Sequence, residues 1–374
     1  MKTYNTAFPF FPEEDIDEIL INIKEMLKGN KLLTMGEYVN SFEKEFSNYI
    51  GTKYAIATNS CTSALEISLT SLNLSKEDEV IVPVQTFVAT GSAVVKAGAK
   101  LVFCDVNEDF LIDFESLKKL ITEKTKAVII VHFAGMIHRE IMKIKNYLKE
   151  RNILLIEDAA HAHGATFEGI KAGNIGDFGC FSFYSTKIMT TGEGGMITTN
   201  DFDYYNKCAS IRNRGLDIQS DNEIYVNLGS NYRVTEIQAL LGLYQLKRLE
   251  EFVIYRNKIA SVYKEELKEF IEDKIIRLQQ PAKNSRHAYW RFIVFLNKHN
   301  REDVLNELRN HNIKADAPYY PLLHQQPVFN FFEKKEFPNA EKLSKTHISL
   351  PIHMLIKEED ARFIARKLKE VLER

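Results

Sequence analysis

The first two-thirds of the chain alternate between short apolar runs and longer stretches in which apolar residues recur every three or four positions. The runs are rich in β-branched residues and are too short for helices, so they predict buried strands separated by helices. This alternation predicts an α/β fold with a mainly parallel sheet covered on both faces. The predicted strands are Tyr54–Thr58, Glu79–Pro83, Lys100–Cys104, 127–131, 153–156 and 196–199, and the predicted helices include 15–27, 62–72 and 140–150.

The last third of the chain is organised differently. A long helical pattern over 234–267 leads into it, followed by a strand at 289–296 and helices at 302–310 and near 358–372. We therefore predict a large domain over residues 1–245 and a smaller C-terminal α/β domain over residues 246–374.

Composition and charge exclude several classes of partner. The 374 residues are 45% hydrophobic and 27% charged with a net charge of −2, which is typical of a globular protein and gives no basic surface for nucleic acid or anionic membrane. The start lacks the apolar stretch of a signal peptide, and no cysteine pair has metal-ligand spacing. We expect a cytoplasmic protein with buried thiols and no metal.

The segment that ends one apolar strand carries the strongest chemical signal. Lys187 closes the run Phe-Ser-Phe-Tyr-Ser-Thr-Lys, and a Gly-Glu-Gly-Gly turn at 192–195 leads into the next strand. An aldehyde cofactor needs an amine at a strand end and glycines where chains pass closely. Asp158 ends the strand at 153–156, where it is either a helix cap or the partner of a pyridine nitrogen. Together they indicate pyridoxal phosphate (PLP), with Lys187 bonded to the cofactor aldehyde.

Other polar residues fit the remainder of that cofactor. Thr62 and Ser63 open a predicted helix, where free N–H groups and hydroxyls bind phosphate or simply cap the helix. Ser182 is a second phosphate candidate. Phe87 either stacks on the cofactor ring or belongs to the core, and His161 either bonds the cofactor's phenolic oxygen or is structural.

These blocks together resemble the DegT/DnrJ/EryC1/StrS family of sugar aminotransferases, over nearly the whole chain. The matching segments are Asn-Ser-x-Thr-x-Ala-Leu at 59–65, Thr-Phe-Val-Ala-Thr at 86–90, Glu-Asp-Ala-Ala at 157–160, the segment 181–187, the glycines of 192–195, and Asn-Tyr-Arg at 231–233. The chain departs from the family pattern at Cys61, at His161 and at 133–135.

The resemblance implies a fold-type I PLP aminotransferase with a seven-stranded sheet in the large domain. It implies a homodimer with shared active sites, in which Asn231 reaches the phosphate of the other subunit. It also implies that Tyr320 and His324 contact the substrate, although the same segment is otherwise a rigid proline-framed loop.

We therefore predict transfer of an amino group from L-glutamate to a keto-sugar, most simply a nucleotide-linked one, in amino-sugar or surface-glycan synthesis. Two alternatives stay open at this point. One is a PLP-dependent lyase or dehydratase acting on a sugar or cyclitol, and the other is a PLP-binding regulator without turnover.

Overall fold

The computed structural model describes residues 2–330 and 336–374. The strands are β1 (Tyr54–Thr58), β2 (Glu79–Pro83), β3 (Lys100–Cys104), β4 (Thr125–Val131), β5 (Leu154–Asp158), β6 (Thr166–Phe167), β7 (Ile170–Lys171), β8 (Phe178–Ser182), β9 (Gly195–Thr199), β10 (Ile276–Leu278), β11 (Ser285–Arg286), β12 (Phe292–Leu296) and β13 (His347–Leu350). The α-helices are α1 (Glu13–Glu25), α2 (Glu37–Ile50), α3 (Cys61–Thr70), α4 (Val88–Lys96), α5 (Phe114–Leu120), α6 (Ile141–Lys149), α7 (Phe202–Arg212), α8 (Glu236–Glu266), α9 (Lys268–Glu272), α10 (Arg301–Asn310), α11 (Pro338–Ser344) and α12 (Glu358–Leu372).

The main sheet contains seven strands in the order β1-β9-β8-β5-β4-β2-β3. Strand β9 runs antiparallel to its neighbours β1 and β8, and the other neighbouring pairs are parallel. The parallel strands therefore end along one edge of the sheet, where ligand sites of α/β proteins form. This confirms the predicted mainly parallel sheet.

Helices cover both faces of that sheet because alternate strand residues enter two separate cores. Ala57, Ile130 and Leu155 pack with helices α2, α6 and α8 on one face. Ile56 and Ile129 pack with helices α3, α4 and α7 on the other. Strands buried on both sides need continuous apolar sequence, which explains why the sequence shows runs and not an alternation.

The C-terminal part forms a second antiparallel sheet in the order β10-β12-β13, with α10 and α12 in its core. The predicted strand over 289–296 begins later, at Phe292, because Tyr289 has a left-handed φ of 51°. The start of the chain also contacts this part: the Tyr4 N–H donates to Asn312 O at 2.9 Å. Helix α8 crosses position 245, and the division into domains there stays a prediction.

The four cysteines are buried free thiols, as predicted. Within residues 2–330 and 336–374, none of the helices combines the length and the apolar character needed to cross a membrane.

Candidate active site

A cavity of about 600 Å³ lies beyond the ends of β5 and β8. This volume suits a cofactor and a small substrate, since ligand pockets usually span several hundred cubic ångströms. Its walls come from the start of α3, the loop after β8, the segment before β12 and the loop near residue 319. The predicted residues that line it are Thr62, Phe87, Asp158, His161, Ser182 and Lys187.

Lys187 lies in the loop that follows β8 and is partly buried. Its Nζ lies 4.3 Å from the centroid of the Trp290 ring. The indole Nε1 of Trp290 donates to the Thr186 carbonyl at 2.9 Å and so fixes this loop. Burial lowers the pKa of Lys187 to about 8, although the Cys61 and Asp158 groups oppose the shift. A lysine with a depressed pKa can act as a nucleophile and a base near neutral pH.

Asp158 ends β5 and is buried at the base of the cavity. Its Oδ2 accepts a hydrogen bond from Thr90 Oγ1 at 2.8 Å, and its Oδ1 accepts from the Ala160 N–H at 3.2 Å. Thr90 is bonded in turn to Thr86 at 2.8 Å. Burial raises the pKa of Asp158, whereas these two hydrogen bonds lower it. The bonds fix the carboxylate at one position and favour its charged form.

The start of helix α3 contributes hydroxyl groups to the cavity lining. Ser60 caps it, because Ser60 Oγ accepts from the Ser63 N–H at 3.1 Å, and Thr62 lines the cavity. The hydroxyl of Ser63 instead donates to Asn59 Oδ1 at 2.6 Å. Ser63 does not belong to the described lining of the cavity. Ser182 lines the cavity from the end of β8.

A glycine allows this helix start to approach β9. A side chain built on Gly195 would place Cβ 2.4 Å from the carbonyl carbon of Ser60 and 2.6 Å from the Cys61 nitrogen. No other residue fits there without moving the helix start, so the glycine-rich turn has the close-approach role that the sequence suggested.

His161 forms part of an aromatic stack in the cavity wall. Its ring lies 3.7 Å from that of Trp290 at an interplanar angle of 10°, and its Nε2 is 2.7 Å from the Tyr319 hydroxyl. Burial lowers the pKa of His161 well below its usual value, so the ring is neutral. Its buried Nδ1 has no hydrogen-bond partner among the described residues.

Besides Ser63, three predicted residues lie outside the described lining of the cavity. Asn231 is exposed, and within one chain it does not belong to the described lining of the cavity. Tyr320 points away and its ring packs under Arg301, whose Cζ lies 4.2 Å from the ring centroid. His324 Nε2 lies 3.2 Å from Glu341 Oε1, also away from the described lining. Their roles stay predictions.

The structure adds cavity residues that were not among the predicted site residues: Thr86, Tyr184, Trp290, Arg291, Asp316 and Tyr319. Trp290 is the single tryptophan of the chain, which was a usable signal. The turn at Ala134 and Gly135 brings its segment to the cavity: the Ala288 N–H donates to the Gly135 carbonyl at 2.9 Å, and the Arg291 N–H to the Ala134 carbonyl at 3.3 Å.

This set of donors fits PLP. An amine of lowered pKa, a fixed carboxylate and a helix start with hydroxyl groups line one cavity, together with His161, whose Nδ1 has no partner among the described residues. Lys187 would bond the aldehyde, Asp158 the ring nitrogen, and Thr62 and Ser182 the phosphate.

Comparison with known proteins agrees with this fit. The profile of the DegT/DnrJ/EryC1/StrS aminotransferase family matches residues 13–369. GDP-perosamine synthase of Caulobacter vibrioides is 35% identical, with 94% of each chain covered. The structure is similar to Helicobacter pylori PseC, an aminotransferase involved in the biosynthesis of pseudoaminic acid (TM-score 0.92, 27% identity, 100% of each chain). It is also similar to NtdA of Bacillus subtilis, solved with bound cofactor PMP (TM-score 0.88, 28% identity, 99% and 86% of the two chains).

The family profile matches nearly the whole chain, and the residues that line the cavity fit PLP. The chain therefore belongs to the DegT/DnrJ/EryC1/StrS aminotransferase family and is a PLP-dependent aminotransferase.

Proposed function

We propose that the enzyme transfers the amino group of L-glutamate to a nucleotide-linked keto-sugar, and that it does so as a homodimer in the cytoplasm. The observation that carries the proposal is the pairing of Lys187 and Asp158 in one cavity of a chain that is 35% identical to a GDP-perosamine synthase. The four buried thiols are consistent with a reducing compartment.

Lys187 has two tasks in this proposal. When bound, PLP supplies an aldehyde that accepts amino groups and a ring that delocalises the electrons released at the donor's Cα. The amine of Lys187 holds the cofactor in the resting enzyme. The same amine, when free, would take the proton from Cα of the donor, and its lowered pKa makes a neutral amine available near neutral pH.

Asp158 and His161 support that proton transfer in different ways: Asp158 by stabilising a charge, and His161 by orienting the ligand. The Asp158 carboxylate, fixed by Thr90 and Ala160, would favour a proton on the ring nitrogen of a bound cofactor. His161 is neutral, and its Nδ1 can form one hydrogen bond with a ligand oxygen. Stacking holds the imidazole nearly parallel to the Trp290 ring, which fixes the direction in which Nδ1 can form that bond.

An exposed apolar surface supports the homodimer. In the loop between α7 and α8, Ile218, Ile224, Tyr225, Val226 and Leu228 are exposed, and Leu228 is 94% exposed. Apolar side chains concentrated in one exposed loop are typical of a protein interface. Asn231 follows in the same loop, so a partner that covers this surface also receives Asn231.

A panel of nucleotide-linked keto-sugars, each incubated with the holoenzyme and L-glutamate, tests the proposed function. We expect 2-oxoglutarate and an amino-sugar to appear in equal amounts with at least one member. Consumption of a sugar without 2-oxoglutarate would instead indicate a lyase or dehydratase. No turnover of any member, in protein that binds PLP, would contradict an aminotransferase of nucleotide sugars.

A further inference from the structure

The wall of the active cavity contains a buried cation without a full set of partners. The side chain of Arg291 is 8% exposed, and Arg291 lines the cavity. Its Nε and Nη1 have no hydrogen-bond partner among the described residues, and its Nη2 lies 3.4 Å from Asp316 Oδ2. A guanidinium keeps its charge when buried, and unpaired buried donors cost free energy. An anionic ligand would satisfy them.

The position of Arg291 places this cation near the reacting amine. The Trp290 ring centroid lies 4.3 Å from Lys187 Nζ and 4.6 Å from Arg291 Cζ. The guanidinium carbon therefore lies no more than about 9 Å from the amine. A group bound by Arg291 belongs to the part of a ligand that is close to its reacting carbon, and not to a remote nucleotide.

The neighbouring acid narrows the kind of anion. Asp316 lines the same cavity, where its Oδ2 accepts from the Thr6 hydroxyl at 3.3 Å and its Oδ1 has no partner among the described residues. A negative charge at this distance disfavours a doubly charged phosphate next to Arg291. It tolerates a singly charged group, and the planar fork of arginine matches a carboxylate with two parallel hydrogen bonds.

We propose that Arg291, oriented by Asp316, binds a carboxylate of the ligand in the active cavity. This inference deepens the proposed function and rests on it. The carboxylate belongs either to the amino donor or to an acidic keto-sugar that carries a carboxylate on its ring. Both sources offer the same chemistry to Arg291, and binding measurements separate them.

The test is calorimetric titration of the PLP-loaded enzyme with three unreactive probes: glutarate, D-glucuronate and D-glucose. We expect at least one of the two acids to bind more tightly than glucose. Tighter binding of glutarate assigns Arg291 to the amino donor, and tighter binding of glucuronate assigns it to an acidic sugar.

Variants connect that binding to Arg291. Removing Arg291 alone leaves Asp316 without its cation, so the double variant Arg291→Met/Asp316→Asn removes both charges together. We expect the double variant to weaken acid binding roughly 30- to 1,000-fold, because the ligand carboxylate loses the guanidinium that is its partner in a buried charge pair. Arg291→Lys keeps the charge without the fork and should have an intermediate effect.

A matched control is Arg277→Met. Arg277 donates to the buried carboxylate of Asp109 at 3.0 Å, outside the described lining of the active cavity. After the substitution, Asp109 still has a cationic partner, because Arg139 also donates to it at 3.0 Å. This variant should bind the acids as the unaltered enzyme does.

Two results would overturn the inference: acids that bind no better than glucose, or acid binding that is unchanged in the folded double variant. Its failure is separable from that of the proposed function. An enzyme that binds glutarate through Arg291 but aminates no keto-sugar refutes the proposed function alone. An enzyme that aminates a keto-sugar but binds acids independently of Arg291 refutes this inference alone.

Discussion

Burial shifts the pKa values of Lys187 and Asp158 in opposite directions, and both shifts favour uncharged side chains. For Lys187 this is useful: with a pKa of about 8, roughly a tenth of the amine is neutral at pH 7. For Asp158 the shift opposes its proposed role, which requires an ionised carboxylate. The hydrogen bonds from Thr90 and Ala160 counteract the shift because they favour the charged form. A positive charge on the cofactor nitrogen would add to them and keep the carboxylate ionised.

Asp158→Asn tests that role at the residue scale. Asparagine keeps the size and one acceptor but removes the charge, so PLP should still attach to Lys187. Exchange of the Cα hydrogen of glutamate with solvent deuterium should fall by about 10²- to 10³-fold, the scale of a lost buried charge pair. Exchange is followed by NMR on protein whose PLP content has been measured.

Asp113→Asn is the matched control, since Asp113 caps α5 through the Ser116 N–H at 2.7 Å and lies outside the described lining of the cavity. It should leave the exchange rate unchanged. Near-native exchange in a fully loaded Asp158→Asn enzyme would show that Asp158 is only a cap.

At the scale of elements, the sequence predicted what local pattern determines. The β-branched runs predicted the bounds of β1, β2 and β3 as the structure has them, because buried strands need continuous apolar sequence. The strand over 289–296 was predicted three residues too early. Tyr289 has a left-handed φ there, and its neighbours Ala288 and Arg291 donate to the Ala134–Gly135 turn, which is far away in sequence.

Gly195→Ala tests the contact between β9 and α3. Its Cβ would meet the Ser60 backbone at 2.4 Å, so the helix start must move. We expect a loss of about 1–3 kcal/mol in the free energy of unfolding, typical of overpacking. We also expect PLP affinity to fall at least about tenfold, because the phosphate site moves with the helix. Urea unfolding and PLP titration measure the two effects.

Gly169→Ala serves as its control. Gly169 has a φ of +82°, and no atom lies within 4 Å of the position that a Cβ would take, so alanine there introduces backbone strain without a clash. Its PLP affinity should equal that of the unaltered enzyme. If Gly195→Ala also retains that affinity, the helix start does not hold the phosphate.

At the scale of the whole molecule, the cavity combines segments that are far apart in the chain. Lys187 and Asp158 were predictable because each follows or ends a strand, and parallel strands end at one edge. Arg291 and Tyr319 were not, because long-range packing of the C-terminal part brings them to the cavity. The family resemblance points to Tyr320 as a substrate contact, and that role stays a prediction, whereas the structure places the Tyr319 hydroxyl 2.7 Å from His161 Nε2. Two adjacent tyrosines have the same side chain, so only the backbone conformation of the loop decides which of them points into the cavity.

Mixing two inactive variants tests the proposed shared site. In a mixed dimer of Lys187→Ala and Asn231→Ala chains, one site carries both lesions and the other carries neither if Asn231 acts across the interface. After subunit exchange, activity should return to about a quarter of the wild-type value, since half the dimers are mixed and each has one intact site.

Mixing Lys187→Ala with Asp158→Asn is the control. Both residues line the cavity of one chain, so no site in that mixed dimer is intact and no activity should return. Native mass spectrometry reports the exchange itself. Confirmed mixed dimers of the first pair without activity would refute a role for Asn231 in the partner's site.

The role of Lys187 is tested most directly by reduction of the PLP-loaded enzyme with borohydride, followed by peptide mass spectrometry. Reduction fixes the cofactor to the amine that holds it. We predict the label on Lys187, loss of the label in Lys187→Ala, and loss of glutamate-dependent turnover with it. A label on another lysine, or a Lys187→Ala enzyme that still transfers amino groups at the native rate, would contradict the assignment of Lys187 and the mechanism built on it.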